Sequence, residues 1–206
     1  MTREEKIAIL KENIPWKPDI PIALEKLDCK VGVEIGVRIA GNLKNLAKNP
    51  KFKEGMMYGV DCWSEDPEKP EINDEGFSQQ QLDMQYWQCI ADFSTNPFVK
   101  IIRNFSYEAS LIFPDEYFDF IYIDAAHDYN SMVEDVKAWW PKLKKGGVFS
   151  GHDYFPDERI WRGRKCEVYR AVNEFLEEKG LKVEHTTDTN KEGGPGVACN
   201  SFFTIK

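Results

Sequence analysis

Five short apolar runs constrain this chain more than any other feature. Each ends on a glycine or close to a polar residue, and most lead into a stretch with helical character. They are VGVEI (Val31 to Ile35), MYGVD (Met57 to Asp61), FVKII (Phe98 to Ile102), YFDFIYI (Tyr117 to Ile123) and VFSG (Val148 to Gly151). Runs this short and this apolar read as buried strands. Between them lie AGNLKNLAKN, stopped by Pro50, then QQQLDMQYWQCIADF, then SYEASLIF. A further helix carries Met132, Val133, Val136, Trp139 and Trp140 along one face. It is expected to end at Lys144-Lys145-Gly146-Gly147, cations and glycine where a helix C-terminus favours them. After the fifth strand a loop should run to about Arg164, then a helix over CEVYRAVNEFLEEKG. LKVEH and NSFFTIK read as two closing strands joined by KEGGPG, a turn by composition. Strands alternating with helices predict a parallel sheet covered on both faces, with the closing pair antiparallel at one edge.

The 206 residues suffice for one domain with a proper core. Residues 1–206 read as that one domain, with 1–28 as an N-terminal helical cap. The net charge of -8 argues against broad binding to a phosphate backbone, so no nucleic-acid partner is expected. No apolar run approaches the roughly 20 residues of a membrane span. The charged start, MTREEKIAILKENIPW, reads as an amphipathic helix and not a signal peptide. The five cysteines are scattered and form no CxxC pair, which suits reduced thiols and a cytoplasmic protein. Oligomeric state is open, a homo-oligomer included.

In an open α/β sheet, ligands bind outside the carboxyl ends of the strands. The polar residues at those ends are therefore the candidates. The first strand ends at Glu34-Ile35-Gly36. Gly36 makes either a tight turn or a close backbone approach to a ligand, with no full GxGxxG fingerprint around it. A side chain there would occupy space that a ligand needs. Asp61 ends the second strand, 25 residues after Gly36. An acid so placed suits the two ribose hydroxyls of an adenosine, and NAD would use the same geometry. The third strand runs into Asn104-Phe105-Ser106.

The fourth strand delivers Asp124, with His127 three residues on. Such a pair can share a metal or a proton, or Asp124 or Asp128 can simply cap the next helix. The fifth strand ends at His152-Asp153, which would lie about 5 Å from Asp124 on the neighbouring strand. Two carboxylates and an imidazole form a conceivable site for a hard divalent ion. The Phe155–Lys165 loop, with Arg159, Trp161, Arg162, Arg164 and Lys165, is either a substrate lid or a solvated loop. The acidic stretch Ser64 to Glu75 reads as solvated.

These segments resemble a known family. VGVEIGVRIAGN resembles the first motif of class I S-adenosylmethionine (SAM)-dependent methyltransferases, and Asp61 their ribose-binding acid. FDFIYIDAAHDYNSMVEDVKAWWPKLKKGGVFSGHDY resembles a small-molecule subgroup that includes macrocin-type and rhamnosyl O-methyltransferase-like enzymes. The resemblance covers about residues 30–155. It implies a Rossmann-like α/β fold with a seven-stranded, mostly parallel sheet, helices on both faces and an antiparallel last strand. It implies Glu34 and Gly36 near the methionyl part of SAM, Asp61 on the ribose, and Asn104, Phe105 and Ser106 near the adenine. In metal-using relatives the positions of Asp124 and Asp153 bind Mg2+, and a His matching His127 is the base. One position departs from that pattern: His152 stands where those relatives often carry a second acid. A divalent cation here would take Asp124 and Asp153, with His152 or water completing its shell.

The expected reaction is methyl transfer from SAM to a hydroxyl of a sugar or other small hydroxylated metabolite, with Asp124 and His127 as the catalytic pair. The cofactor carries the activated methyl group, and the protein aligns an acceptor oxygen and removes its proton. Two rivals share the fold: a non-catalytic SAM-binding or scaffold protein, and an NAD-linked oxidoreductase, for which a fuller glycine fingerprint is missing. Acceptor specificity would reside in residues 1–28, 62–95 and 153–165.

Overall fold

The computed structural model describes residues 1–65, 76–156, 159–161, 164–187 and 200–206. Two helices open the chain, α1 (Arg3–Asn13) and α2 (Ile20–Lys26), separated by a 3-10 turn at Lys17–Asp19. Then come β1 (Val31–Ile35), α3 (Gly41–Leu46), β2 (Met56–Asp61), α4 (Gln79–Asp92), β3 (Val99–Arg103), α5 (Ser106–Ser110), β4 (Phe118–Ile123), α6 (Tyr129–Trp139) and β5 (Leu143–Gly151). A short hairpin, β6 (Arg159–Trp161) and β7 (Arg164–Cys166), precedes α7 (Val168–Glu178), β8 (His185–Thr186) and β9 (Phe202–Ile205). None of the described helices is long and apolar enough to cross a membrane.

Local chemistry sets several helix starts. Thr2 with Glu5, and Ser78 with Gln81, close reciprocal capping boxes on α1 and α4. Asp128 caps α6 by accepting from the Ser131 amide at 3.1 Å. The cap is thus Asp128, and Asp124 has other partners.

The seven-stranded sheet runs β3-β2-β1-β4-β5-β9-β8. Neighbours from β3 to β5 are parallel, and β9 is antiparallel to both β5 and β8. This is the expected Rossmann-like sheet with its reversed last strand. Successive side chains alternate between the two faces. Phe120 and Tyr122 of β4 join a cluster with Leu10, Ile14, Leu24, Leu43 and Trp63. Ile121 and Ile123 join Trp139, Val172 and Phe175 on the opposite face. The N-terminal helices cover the first face and are tied to the far edge. Arg3 pairs with Glu184 at 2.9 Å, Lys6 Nζ donates to the Gly146 carbonyl at 2.5 Å, and His185 Nε2 meets the Ile14 carbonyl at 2.6 Å.

Two expectations are corrected. Lys144–Gly147 do not end a helix. Pro141 closes α6 through a 3-10 turn, and β5 already begins at Leu143. Its register against β4 slips between Phe118 and Phe120, and Gly146, at φ 74°, turns its amide to the Lys206 carbonyl. The stretch to Arg164 is not wholly loop either, since β6 and β7 pair within it. Arg162, the KEGGPG turn and most of the acidic stretch lie outside the described residues.

Strand order reverses between β1 and β4, because β2 and β3 lie on one side of β1 while β4 and β5 lie on the other. That reversal opens a crevice at the strand tips. Gly36 sits in it at φ 87°. A Cβ on Gly36 would stand 1.9 Å from the Asp124 carbonyl oxygen. The glycine is thus required first by the backbone of β4, before any ligand is considered. Gly36→Ala is expected to destabilise the fold by more than about 3 kcal/mol, with Gly36→Val worse. The check is the urea midpoint, and a wild-type midpoint for Gly36→Ala would show that the tips of β1 and β4 part easily.

Candidate active site

Past Gly36 the chain makes a cramped loop. Arg38 and Ala40 both adopt left-handed backbone, at φ 53° and 59°. Asp61, at the tip of β2, braces it. One carboxylate oxygen accepts from the Arg38 amide at 2.8 Å, and the other from the Trp63 amide at 2.9 Å. Burial raises the Asp61 pKa, although the amides of Trp63 and Arg38 favour its charge. The amides of Val37 and Cys62 also favour its charge. The indole of Trp63, almost fully buried, donates back to the Arg38 carbonyl at 2.8 Å.

Glu34 is only 1% exposed. It lies on the same face as Tyr122, its lateral partner on β4. Oε1 accepts from Asn42 at 2.7 Å, and Oε2 has no hydrogen-bond partner. Burial pushes its pKa up to about 8, with the nearby Asp124 charge adding to the shift and Asn42 and Lys17 opposing it.

At the tip of β3, the Asn104 side chain accepts from the Phe105 amide at 2.9 Å, and the Asn104 amide donates to the Asp61 carbonyl at 3.0 Å. The Ser106 hydroxyl donates to buried Asp135 and accepts from the Trp139 indole at 2.9 Å. That hydroxyl is turned beneath the strand tips.

The tips of β4 and β5 hold the densest polar cluster. His127 Nε2 lies 2.9 Å from Asp153 Oδ2. His152 Nδ1 lies 3.2 Å from the same oxygen and 3.7 Å from Asp124 Oδ1. Burial works against the Asp153 charge, but the two imidazoles outweigh it and hold the carboxyl well below its usual range. Asp153 has φ 53°, a strained backbone of the kind that gathers at functional sites. The end of β7 pins this corner, with Cys166 Sγ on the Asp153 carbonyl at 3.4 Å and the Glu167 amide on the His127 carbonyl at 2.8 Å.

Asp124 has a partner that the sequence did not announce. Lys17 Nζ, from the turn between α1 and α2, lies 3.3 Å from Asp124 Oδ2. Burial disfavours this ammonium, but the Tyr122 hydroxyl, Asp124 and Glu34 outweigh it and raise its pKa. No motif marks Lys17, because only the folding of the cap over the sheet brings it here.

The structure therefore brings Glu34, Asp124, His127, His152 and Asp153 to one crevice, with Asp61 across the glycine loop. Asp124, His152 and Asp153 each offer a ligand atom within 4.8 Å of the others. This set fits a hard divalent ion poorly. One donor is an imidazole, Asp153 is shared by two rings, and Asp124 already faces an ammonium.

An α/β sheet with a glycine turn at its switch point, an acid on the next strand and a polar cluster opposite has the crevice in which folds of this class hold ligands. Residues 29–154 match the family model described as a methyltransferase domain, so the chain belongs to that family. Its fold is similar to that of a SAM-dependent methyltransferase from Aquifex aeolicus, with TM-score 0.57, 15% identity, and 100% of this chain and 99% of that one covered. It is similar to an O-methyltransferase from Bacillus cereus in complex with SAH, with TM-score 0.64, 15% identity and coverage of 92% and 80%. It is also similar to an rRNA methylase from Streptococcus thermophilus, with TM-score 0.57, 13% identity and coverage of 94% and 98%. At these identities the likeness is one of fold. No curated protein matches the chain in sequence.

Glu34 yields a test of the site's electrostatics. Between pH 4.5 and 8 the folded protein holds a proton on Glu34 that the unfolded chain has released, so this group's contribution to stability falls as pH rises through that window. Glu34→Gln has no such proton. From pH 5 to 8.5 the variant should lose less stability than the wild type, by on the order of 2–4 kcal/mol. Thermal unfolding at both pH values measures it, and equal losses would mean that Glu34 is already ionised in the fold.

Proposed function

We propose that this protein transfers a methyl group from SAM to a hydroxyl of a small molecule, a sugar or another hydroxylated metabolite. The observation that carries this reading is the meeting, at one switch point, of the Gly36–Asp61 pair with the Asp124–His127–Asp153 network. Asp61 would accept from the ribose hydroxyls. Glu34 and Gly36 would border the methionyl end, where the orphaned Oε2 of Glu34 calls for a hydrogen-bond partner. A buried polar atom without one costs about 1–3 kcal/mol. Asn104, Phe105 and Ser106 would flank the adenine, with the Ser106 hydroxyl facing away from it.

When bound, SAM supplies a methyl group already activated by its sulfonium. The protein's part is to hold an acceptor oxygen in line with that methyl group and take its proton. A carboxylate only accepts, so in this reading His127 would turn an Nε2 hydrogen toward Asp153, 2.9 Å away. Nδ1 of the neutral ring would then be the atom that receives the proton. Asp153 orients the ring and stabilises its charged form, and Asp124 lines the same pocket. Likeness to the macrocin-type and rhamnosyl enzymes in the β4–β5 segment favours a sugar-like acceptor. The net charge of -8 favours a small acceptor over RNA, although one structural neighbour is an rRNA methylase. The described cysteines Cys29, Cys62, Cys89 and Cys166 are free thiols, in keeping with a reducing cytoplasm.

Calorimetric titration with SAM tests the cofactor. The wild type should bind it, and Asp61→Ala should bind about 10- to 100-fold more weakly, the scale of hydrogen bonds to a charged group. Because Asp61 also braces the glycine loop, Asp61→Asn and a circular dichroism spectrum accompany the measurement. No binding by the folded wild type overturns the reading. With an acceptor in hand, His127→Ala should lower kcat by about 100-fold or more. SAM binding with no turnover across a broad acceptor panel would instead favour a non-catalytic role.

A further inference from the structure

The turn between the two N-terminal helices carries a cation into the strand-tip cluster. Lys17 opens that turn after Trp16 in extended backbone, and Pro18 follows it. Asn45 on α3 holds the turn from below, donating to the carbonyls of Lys17 at 3.3 Å and Pro18 at 3.2 Å. The Lys17 side chain is only 20% exposed, and its Nζ lies 3.3 Å from Asp124 and 5.4 Å from the centre of the Tyr122 ring.

This is where a metal ion would have to go. Asp124, His152 and Asp153 are, among the described residues, the cluster whose ligand atoms converge closely enough to hold one. A hard divalent ion takes carboxylate oxygens at about 2.0–2.6 Å. Bound to Asp124, it would add two positive charges beside an ammonium already in contact with that carboxylate. Asp153 lies against two imidazole rings. The Asp124 charge is matched from within, by Lys17. Glu34, with its buried and unpartnered Oε2, adds a neutral carboxyl group on the same face of the sheet.

We propose that Lys17 is the resident cation of this site, standing in the place of a divalent metal ion, and that its ammonium is the positive charge presented to the acceptor oxygen. The second half rests on the methyl-transfer reading, and the first does not. In the transfer, the acceptor proton passes to His127, the oxygen–methyl bond forms as the sulfur–methyl bond breaks, and Lys17 donates a hydrogen bond to the oxygen while it carries negative charge. Lys17 is regenerated unchanged.

Manganese(II) is the probe for the first half. It is titrated into the full chain and followed by the electron paramagnetic resonance of the free ion, with neither SAM nor acceptor present. Lys17→Met, which keeps the unbranched stem and removes the charge, should bind manganese at least about tenfold more tightly than the wild type. Lys17→Arg, which keeps the charge, should bind as weakly as the wild type, and Lys17→Met/Asp124→Asn should lose the gained affinity. A wild type that binds manganese as tightly as Lys17→Met overturns the proposal. So does a folded Lys17→Met, verified by circular dichroism, that gains nothing. For the second half, turnover of any accepted substrate should survive chelation. Lys17→Met should lower kcat by about 100-fold, more than it raises KM, with Lys17→Arg recovering part of the loss. Turnover lost on chelation and restored by magnesium overturns it. If SAM fails to bind while the manganese results hold, the methyl-transfer reading falls and the assignment of Lys17 as resident cation stands.

Discussion

The tips of β1 and β4 touch at a single point, and the crevice is arranged around it. The Asp124 amide donates to the Ile35 carbonyl at 2.7 Å, and the Gly36 amide to the Val60 carbonyl at 2.9 Å. These two bonds continue the hydrogen-bonding of three adjacent strands past the last paired residue of β1. Because nothing projects from its α-carbon, the β4 backbone can pass directly over it. The chain must then turn sharply, and it does so through the left-handed Arg38 and Ala40. That turn aims the Arg38 amide at Asp61 and the Arg38 carbonyl at the indole of Trp63. The acid on β2 and the cluster on β4 are therefore positioned by the same contact.

Much of this arrangement was legible in the sequence, for a physical reason. A strand buried on both faces has little place for a charge until it reaches its end. An acid that terminates an apolar run therefore marks a strand tip, as Glu34, Asp61 and Asp124 all do. Since ligands bind at those tips in parallel sheets, five local patterns reported one three-dimensional edge. Membership of the methyltransferase-domain family agrees with that reading. The boundaries were less legible. Lys144-Lys145-Gly146-Gly147 has the composition of a helix end, but Pro141 had already ended the helix, and the glycines serve a register slip in β5. Local composition and tertiary pairing competed there, and pairing won. The β6–β7 hairpin was missed because its strands are three residues each, too short for a periodicity to register.

Lys17 was not legible at all. Its neighbours in sequence, Trp16 and Pro18, indicate a turn and nothing about chemistry. Its meaning comes from a contact across 107 positions of chain. The same holds for the division of labour among the acids near α6. Composition leaves Asp124 and Asp128 as equal candidates for the cap, and only the geometry gives the cap to Asp128. The Ser106 hydroxyl is a third case, since its partners Asp135 and Trp139 lie on a helix that the sequence places two elements later.

The tether of the N-terminal helices has a consequence for the crevice. Arg3, Lys6 and Ile14 attach these helices to Glu184 beside β8, to the β5 slip and to His185 of β8. Lys17 follows on the same short stretch of chain. The local charge beside Asp124 is thus set by a piece of polypeptide held from the margin of the sheet and, at the turn itself, by Asn45 of α3. Releasing that hold would withdraw a positive charge from the crevice. The electrostatic character of the pocket is in this sense a removable part, separable from the scaffold that shapes it.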